Sequence, residues 1–290
     1  MKTRIKAYAK INLHLDVTGI RDDGYHNICS IMQSVSLCDI IDIEIIDEQK
    51  IVIECDTAGV PLDEKNIAYR AAARFFERAG LKCGASIKIK KNIPMAAGLA
   101  GGSADGAAVL VGLNEIFKGA LNDSELYLIG SSLGADVPFC MACGRRLTEG
   151  IGDVMTRLDS ISPETILVIA CGGEGVSTPV AYGMLDEKYD SFVDYEPRSI
   201  DVIKESIDLL KNDDYKSLFN IFEEPISSVR GAVSIAKELM LGNGAKAAMM
   251  SGSGPSVFGI FEDVSAAERA VEALKTQGFF ACVAYPTKER

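Results

Sequence analysis

A glycine-rich stretch at 94–108, PMAAGLAGGSADGAA, constrains the fold of this chain more than any other segment. It follows the segment 85–93, in which isoleucine alternates with lysine as in a half-buried strand. It leads into 107–117, where apolar residues recur at helical spacing. The pattern therefore predicts a strand, a glycine loop and a helix in direct succession.

Such a junction can hold a phosphate group, or it can be a corner kept small for packing. Gly98, Gly101 and Gly102 permit positive φ angles and the close approach of a ligand. Ser103 is a candidate cap for the helix, whose unpaired N–H groups and dipole favour an anion. The chain has no GxxxxGK[ST] loop, and no GxGxxG string opens a helix after a strand. Glycine content alone leaves both interpretations open.

Other segments predict alternating strands and amphipathic helices. The segment 5–17 places apolar residues on one face, for the core, and carries Lys10 and Asn12 on the other, although a solvated edge strand would alternate in the same way. Further strands are predicted at 40–46, 51–55, 165–170, 257–261 and 279–285, and helices at 63–79, 123–133 and 266–277. Ser265 and Glu268 have the spacing of a capping box for the last helix.

Length and charge limit the classes of function. With 290 residues the chain can bury a substantial core in one large or two modest domains. A net charge of −11 argues against an extended surface for nucleic acid or anionic membranes. Residues 1–16 lack the apolar core of a signal peptide, and no apolar run reaches membrane-spanning length. We therefore expect a cytoplasmic protein that contacts neither nucleic acid nor membranes.

Eight cysteines are expected to be reduced in that compartment. Cys140 and Cys143 form one CxxC pair, which could be a redox pair or half of a zinc site. A zinc ribbon needs a second pair, and the other six cysteines are isolated. Buried structural thiols are the favoured interpretation.

Five short strings carry a family resemblance that spans most of the chain. They are AKINL at 9–13, RDDGYH at 21–26, PMAAGLAGGSAD at 94–105, GADVP at 134–138 and SGSGP at 251–255. In this order they resemble the superfamily of galactokinase, homoserine kinase, mevalonate kinase and phosphomevalonate kinase. Within it, they are most similar to the 4-diphosphocytidyl-2-C-methyl-D-erythritol kinase family. Ala96, Ala100 and Ala104 stand where that family usually has Gly, Gly and Ser.

The resemblance implies an α+β protein of two domains. An N-terminal ribosomal-protein-S5-like domain over 1–160 would bind ATP and substrate, and a C-terminal ferredoxin-like domain over 161–290 would close the cleft. A change of composition near 160–163 and the strand, helix and strand at the end of the chain suit this division. Its partners would be small molecules, and we expect a monomer or a weak homodimer.

The resemblance also implies roles for individual residues, each with a plainer alternative. Lys10 and Asp136 would be catalytic, with the lysine paired to the aspartate, although an aspartate before a proline commonly caps a turn. ATP would be bound by Pro94, Met95, Ala96, Ala97, Gly98, Leu99, Ala100, Gly101, Gly102, Ser103, Ala104 and Asn66. The other substrate would be bound by Asn12, Tyr25, His26, Thr178, Pro179, Tyr182, Gly252 and Ser253. Asn66 could equally cap a helix, and residues 178–182 could be a simple entry into one.

The implied activity is ATP-dependent phosphorylation of the 2-hydroxyl of 4-diphosphocytidyl-2-C-methyl-D-erythritol, in the non-mevalonate route to isoprenoid precursors. ATP would be the co-substrate and Mg²⁺ its expected metal ion, while the metal ligands stay undefined. A sister kinase acting on another small alcohol, such as homoserine or mevalonate, would leave Tyr25 and His26 without a task. A non-catalytic nucleotide-binding protein would be expected to lose Lys10 or Asp136, and both are present. A redox or zinc protein built on Cys140 and Cys143 is a third alternative.

Overall fold

Two β-sheets, with helices packed on them, make up the part of the chain that the structure describes. The computed structural model describes residues 1–159, 161–173, 176–189, 192, 195–198, 203 and 215–290. Ser160, where the predicted domain boundary falls, lies outside these ranges. The combination of helices with mainly antiparallel strands confirms the predicted α+β class.

The larger sheet is built around a long antiparallel hairpin of two strands. Its spatial order is β3 (Ile51–Cys55), β4 (Gly84–Lys90), β2 (His26–Ile46), β1 (Lys2–Ile20) and β8 (Phe219–Asn220). β5 (Arg145–Glu149) pairs with β2, and β6 (Val154–Leu158) pairs with β5. The predicted strand at 5–17 is confirmed and extends further at both ends, while the predicted strand at 40–46 is only the end of β2.

β1 is irregular where it carries the candidate catalytic lysine. Its register with β2 shifts between Tyr8 and Lys10 and again between Asn12 and His14. Bulges of this kind redirect side chains and are frequent beside active sites. The polar side chains in the middle of β1 are not solvated, because Lys10 is 5% exposed and Asn12 is 1% exposed. The strand therefore directs two polar side chains into the protein.

Four helices accompany the larger sheet, and the second of them is central. They are α1 (Ile67–Ala79), α2 (Gly101–Ile116), α3 (Asp123–Leu133) and α4 (Val137–Ala142). α2 packs closely against α1 because Gly106 has no side chain, and a Cβ there would lie 2.5 Å from Cγ2 of Ile67. α3 has the predicted bounds, whereas α1 begins later than predicted because Asn66 is its N-cap.

The smaller sheet is antiparallel, with the spatial order β11 (Phe280–Ala284), β7 (Ile166–Cys171), β10 (Val257–Phe261) and β9 (Ala247–Met250). The described helices of this half are α5 (Thr178–Lys188), α6 (Glu223–Val229), α7 (Gly231–Gly242) and α8 (Val264–Thr276). The predicted strand at 257–261 is confirmed. Nowhere in the described ranges is a helix long and apolar enough to cross a lipid bilayer.

Two predicted helix caps are wrong. α2 begins at Gly101, its N-cap is Ala100, and no side chain caps it, so Ser103 lies inside the first turn instead of before it. α8 is capped by Asp263, whose side chain accepts a hydrogen bond from the backbone N–H of Ala266. The capping box expected from Ser265 therefore does not form, because an earlier aspartate occupies the N-cap position.

Segments beyond the predicted boundary return to the larger sheet. β8 pairs in parallel with β1, and near the end of the chain Pro286 bridges to Val35 and Glu289 bridges to Cys143. These contacts attach segments that follow the predicted boundary to β1, to β2 and to the end of α4. The division into 1–160 and 161–290 stays a prediction.

Candidate active site

A cleft of about 910 Å³ lies between β1, the glycine loop before α2, the start of α4, the start of α5 and the loop after β9. The predicted site residues that line it are Lys10, Asn12, Tyr25, His26, Ala96, Ala97, Gly98, Ala100, Gly101, Gly102, Ser103, Asp136, Thr178, Pro179, Tyr182, Gly252 and Ser253. Residues that are distant in the sequence, from Lys10 to Ser253, therefore share one cavity.

Five predicted ATP-binding residues do not line this cleft: Pro94, Met95, Leu99, Ala104 and Asn66. Leu99 and Ala104 are each 1% exposed and pack in the core, whereas Met95 is 51% exposed. Both polar atoms of the Asn66 amide are engaged, since Oδ1 accepts from Ala68 N at 2.9 Å and Nδ2 donates to Pro61 O at 2.7 Å. The capping interpretation of Asn66 thus accounts for its side chain.

The glycine loop has a left-handed backbone at three alternating positions. The φ angles of Ala96, Gly98 and Ala100 are 50°, 74° and 57°. For the two alanines this conformation costs about 1–2 kcal/mol each, which glycine would avoid. The loop ends at the uncapped start of α2, so backbone N–H groups of Gly101 and Gly102 remain available beside the cleft. This arrangement suits a phosphate group.

The glycine loop is bound to the loop that follows β9. Ser251 Oγ donates to Gly98 O at 3.1 Å, and Ser256 N donates to Ala97 O at 3.2 Å. The backbones approach so closely that a Cβ on Gly98 would lie 2.2 Å from Ser251 O. The second loop therefore supports the first from behind, a contact that the sequence did not predict.

Lys10 is held by the strand that carries it. Its Nζ donates to Asn12 Oδ1 at 2.6 Å, while Asn12 Nδ2 donates to Ser30 Oγ at 2.8 Å. Its backbone N–H donates to Leu99 O in the glycine loop at 3.1 Å. No carboxylate of the described residues lies within ion-pair distance of Nζ, so the expected pair with Asp136 is not formed. Asn12 instead orients the ammonium group.

Asp136 lines the same cleft at the start of α4. It occupies the N-cap position, yet its side chain makes no capping hydrogen bond, so the plain capping interpretation does not account for it. Burial raises the pKa of Tyr182 to about 12, and the negative charge of Asp136 contributes to that rise. Burial also raises the pKa of Cys140, where Asp136 adds to the shift and Lys10 opposes it. The charges of Asp136 and Lys10 therefore both act on Cys140.

The other end of the cleft is aromatic. Tyr25 is 64% exposed at the rim. The His26 ring stacks on Tyr182, with 4.5 Å between centroids and 28° between planes, and Tyr182 meets Phe222 edge-on at 5.0 Å. His26 Nε2 lies 2.7 Å from Asp186 Oδ1. Sequence reasoning missed Asp186, although it lies one helical turn after Tyr182 on α5.

The CxxC pair lies inside the protein. Both thiols are free, and Cys143 Sγ donates to Cys140 O at 3.2 Å. Burial is the main cause that raises the pKa of both thiols, which keeps them protonated and poorly reactive. Throughout the described residues, no group of three or more His, Cys, Asp or Glu side chains is placed to hold a metal ion.

Comparison with known families agrees with this architecture. Residues 66–144 match the GHMP kinases N terminal domain, and residues 200–279 match the GHMP kinases C terminal domain. A crystal structure of homoserine kinase from Cytophaga hutchinsonii shares the fold, with a TM-score of 0.73 at 18% identity over 99% of this chain and 95% of that one. The chain therefore carries both the N-terminal and the C-terminal domain of the GHMP kinases.

Relatives with higher sequence identity show to which family of GHMP kinases this chain belongs. The 4-diphosphocytidyl-2-C-methyl-D-erythritol kinase of Caldicellulosiruptor bescii is 44% identical over 94% of each chain. That of Clostridium perfringens is 43% identical over 94% of this chain and 93% of its own. A crystal structure of 4-(cytidine 5'-diphospho)-2C-methyl-D-erythritol kinase superposes with a TM-score of 0.82 at 30% identity, covering 98% of this chain and 99% of that one. This chain belongs to the 4-diphosphocytidyl-2-C-methyl-D-erythritol kinase family.

Proposed function

We propose that this protein transfers the γ-phosphoryl group of ATP to the 2-hydroxyl of 4-diphosphocytidyl-2-C-methyl-D-erythritol, a step towards isoprenoid precursors. The observation that carries the proposal is a cleft that contains a phosphate-type loop, the Lys10 ammonium group, the Asp136 carboxylate and an aromatic end. Phosphoryl transfer asks a protein mainly to position the reactants and stabilise charge. The cleft supplies groups for both tasks.

The nucleotide end is the glycine loop and the start of α2. Backbone N–H groups at Gly101 and Gly102, together with the Ser103 hydroxyl, are suited to phosphate oxygens. The hydrogen bond from Ser251 to Gly98 O supports this loop. Mg²⁺ would arrive with ATP as part of the substrate, since it commonly binds through phosphate oxygens, water and few protein groups.

The reacting oxygen would lie between Lys10 and Asp136. Its proton passes to the Asp136 carboxylate while the oxygen attacks the γ-phosphorus and ADP leaves. Lys10, oriented by Asn12, stabilises the negative charge on the acceptor oxygen and the γ-phosphate. Among the described residues, neither Lys10 nor Asp136 forms an ion pair, so both charges remain available for these roles.

The cytidine end is the aromatic part of the cleft. Tyr25 is exposed at the rim and is suited to stack on a flat base, while His26 presents a ring nitrogen to the base edge. Thr178, Pro179 and Tyr182, at the start of α5, form the adjoining wall. An exposed aromatic and a buried imidazole together favour a nucleobase over a bare alcohol substrate.

ADP release tests the proposal. The purified protein is incubated with ATP, Mg²⁺ and a panel containing the cytidine substrate, homoserine and mevalonate, and turnover is expected with the cytidine substrate alone. Asp136→Asn and Lys10→Ala should each lower kcat by about 10² or more, whereas Asp47→Asn, an exposed aspartate outside the cleft, serves as the control. Tyr25→Ala should mainly raise KM for the cytidine substrate. Turnover of another alcohol, or full activity of the Asp136 variant, would refute the assignment.

We further propose that the protein works in the cytoplasm as a monomer or weak homodimer, with small molecules as its partners. Net charge and composition support this, since neither favours a nucleic-acid or membrane surface. Gel filtration coupled to light scattering tests the oligomeric state.

A further inference from the structure

Asp186 fixes the chemical state of the histidine at the aromatic end of the cleft. Its Oδ1 lies 2.7 Å from Nε2 of His26. A carboxylate accepts hydrogen bonds and has none to donate, so in the neutral imidazole the proton must be on Nε2. The side chain of His26 is 8% exposed, which leaves little water to compete for this hydrogen bond.

The ring of His26 is also prevented from flipping, which would exchange the positions of Nδ1 and Nε2. It stacks on Tyr182 at 4.5 Å on one side and meets Phe192 edge-on at 5.7 Å. A flip of the ring would break the hydrogen bond to Asp186 while these contacts held its plane. Within the described residues, no hydrogen bond is formed to Nδ1 of His26, which is therefore the nitrogen available to a ligand.

We propose that Asp186 is a positioning residue that makes the site specific for cytosine over uracil. With the proton on Nε2, Nδ1 of His26 is a hydrogen-bond acceptor. Cytosine presents an amino group at position 4, which donates, whereas uracil presents a carbonyl oxygen there, which accepts. Where Nδ1 faces position 4 of the base, uracil would set two acceptors against each other, whereas the amino group of cytosine would donate to Nδ1. This inference rests on the proposed function, in which His26 contacts the base.

Kinetics with paired substrates tests the specificity. Asp186→Ala is compared with the wild type on the cytidine substrate and on its uridine counterpart, at saturating ATP. The ratio of kcat/KM for cytidine over uridine should fall at least about tenfold, the value of one hydrogen bond, and the change should lie in KM. Glu187→Ala removes the neighbouring exposed acid from the same helix and should leave the ratio unchanged.

A merely structural role for Asp186 gives a different result. Damage to the fold or to α5 would lower kcat/KM for both substrates by the same factor and leave their ratio intact. An unchanged ratio in the Asp186→Ala variant, whatever its activity, would therefore overturn the inference.

Nitrogen-15 NMR of the histidine rings tests the tautomer without any substrate. The chain has two histidines, so the signals that disappear in His26→Gln belong to the ring of His26. At a pH where the imidazole is neutral, His26 of the wild type should show a protonated Nε2 and an unprotonated Nδ1. A proton on Nδ1 would overturn the inference. If the tautomer is as expected but no cytidine substrate is turned over, the proposed function fails and the pairing of Asp186 with His26 stands.

Discussion

The contact between the glycine loop and the loop after β9 makes Gly98→Ala the most informative substitution. Gly98 has a φ angle of 74°, so an alanine there costs about 1–2 kcal/mol in backbone strain. Its Cβ would also lie 2.2 Å from Ser251 O, and such overpacking costs about 1–3 kcal/mol. Together these effects should lower the free energy of unfolding by about 2–5 kcal/mol.

An alanine at Gly119 separates the cost of backbone strain from the cost of overpacking. Gly119 has a φ angle of 78°, but nothing lies within 4 Å of a Cβ placed there. Gly119→Ala should therefore lose only the strain of about 1–2 kcal/mol. Urea denaturation measures both variants, and the difference of about 1–3 kcal/mol between them is the cost of the contact.

Nucleotide binding provides a second measurement for the variants Gly98→Ala and Gly119→Ala. If the two loops move apart to accommodate the new methyl group, the glycine loop loses its support from Ser251. KM for ATP should then rise about tenfold or more in Gly98→Ala, which corresponds to about 1.4 kcal/mol, and stay unchanged in Gly119→Ala. Equal stability losses and equal KM values in the two variants would refute the reasoning that this contact shapes the phosphate site.

Three further substitutions test neighbouring features. Ala100→Gly should raise the free energy of unfolding by about 1 kcal/mol in urea denaturation, because φ is 57° there; no gain would contradict the strained loop. Ser251→Ala should lower that free energy by about 1 kcal/mol and raise KM for ATP, because the hydrogen bond to Gly98 O is lost; unchanged values of both would contradict its supporting role. Burial, with a contribution from the charge of Asp39, raises the pKa of Asp105 to about 8. Because the folded state then holds this proton more tightly than the unfolded chain, the associated stability is present at low pH and is lost as pH rises towards 8. Asp105→Asn imitates the protonated carboxyl, so it should lose less stability than the wild type between about pH 5 and pH 9, and parallel losses would refute the shift.

Local patterns predicted most elements of the fold. α3 has the predicted bounds because Asn122 caps its start and Gly134 follows its end, and both signals are local. The strands at 51–55 and 257–261 were equally clear, since their residue types and bounding turns are local too. α2 was predicted to start too late, because glycine, alanine and serine in its first turns carry no apolar periodicity.

Short sequence strings identified the candidate site residues, but they did not reveal the contacts between them. The strings identified Lys10 and Asp136 although their positions are far apart in the chain. They did not reveal that Asn12 holds the Lys10 ammonium group, because the bulges that bring the two together depend on pairing with β2. Nor did they reveal Asp186, whose role arises only where α5 packs beside His26.

The sequence by itself determined most helices and strands, because these depend on neighbours within a few positions. Its family resemblance implied the class of fold and the candidate residues for phosphoryl transfer. The tertiary structure alone decided that Lys10 and Asn12 of β1 are buried, that Ser251 donates a hydrogen bond to Gly98, and that Asp186 lies within hydrogen-bond distance of His26. Each of these contacts joins segments separated by long stretches of chain, and hydrogen bonds of this kind depend on distances that only the folded backbone sets.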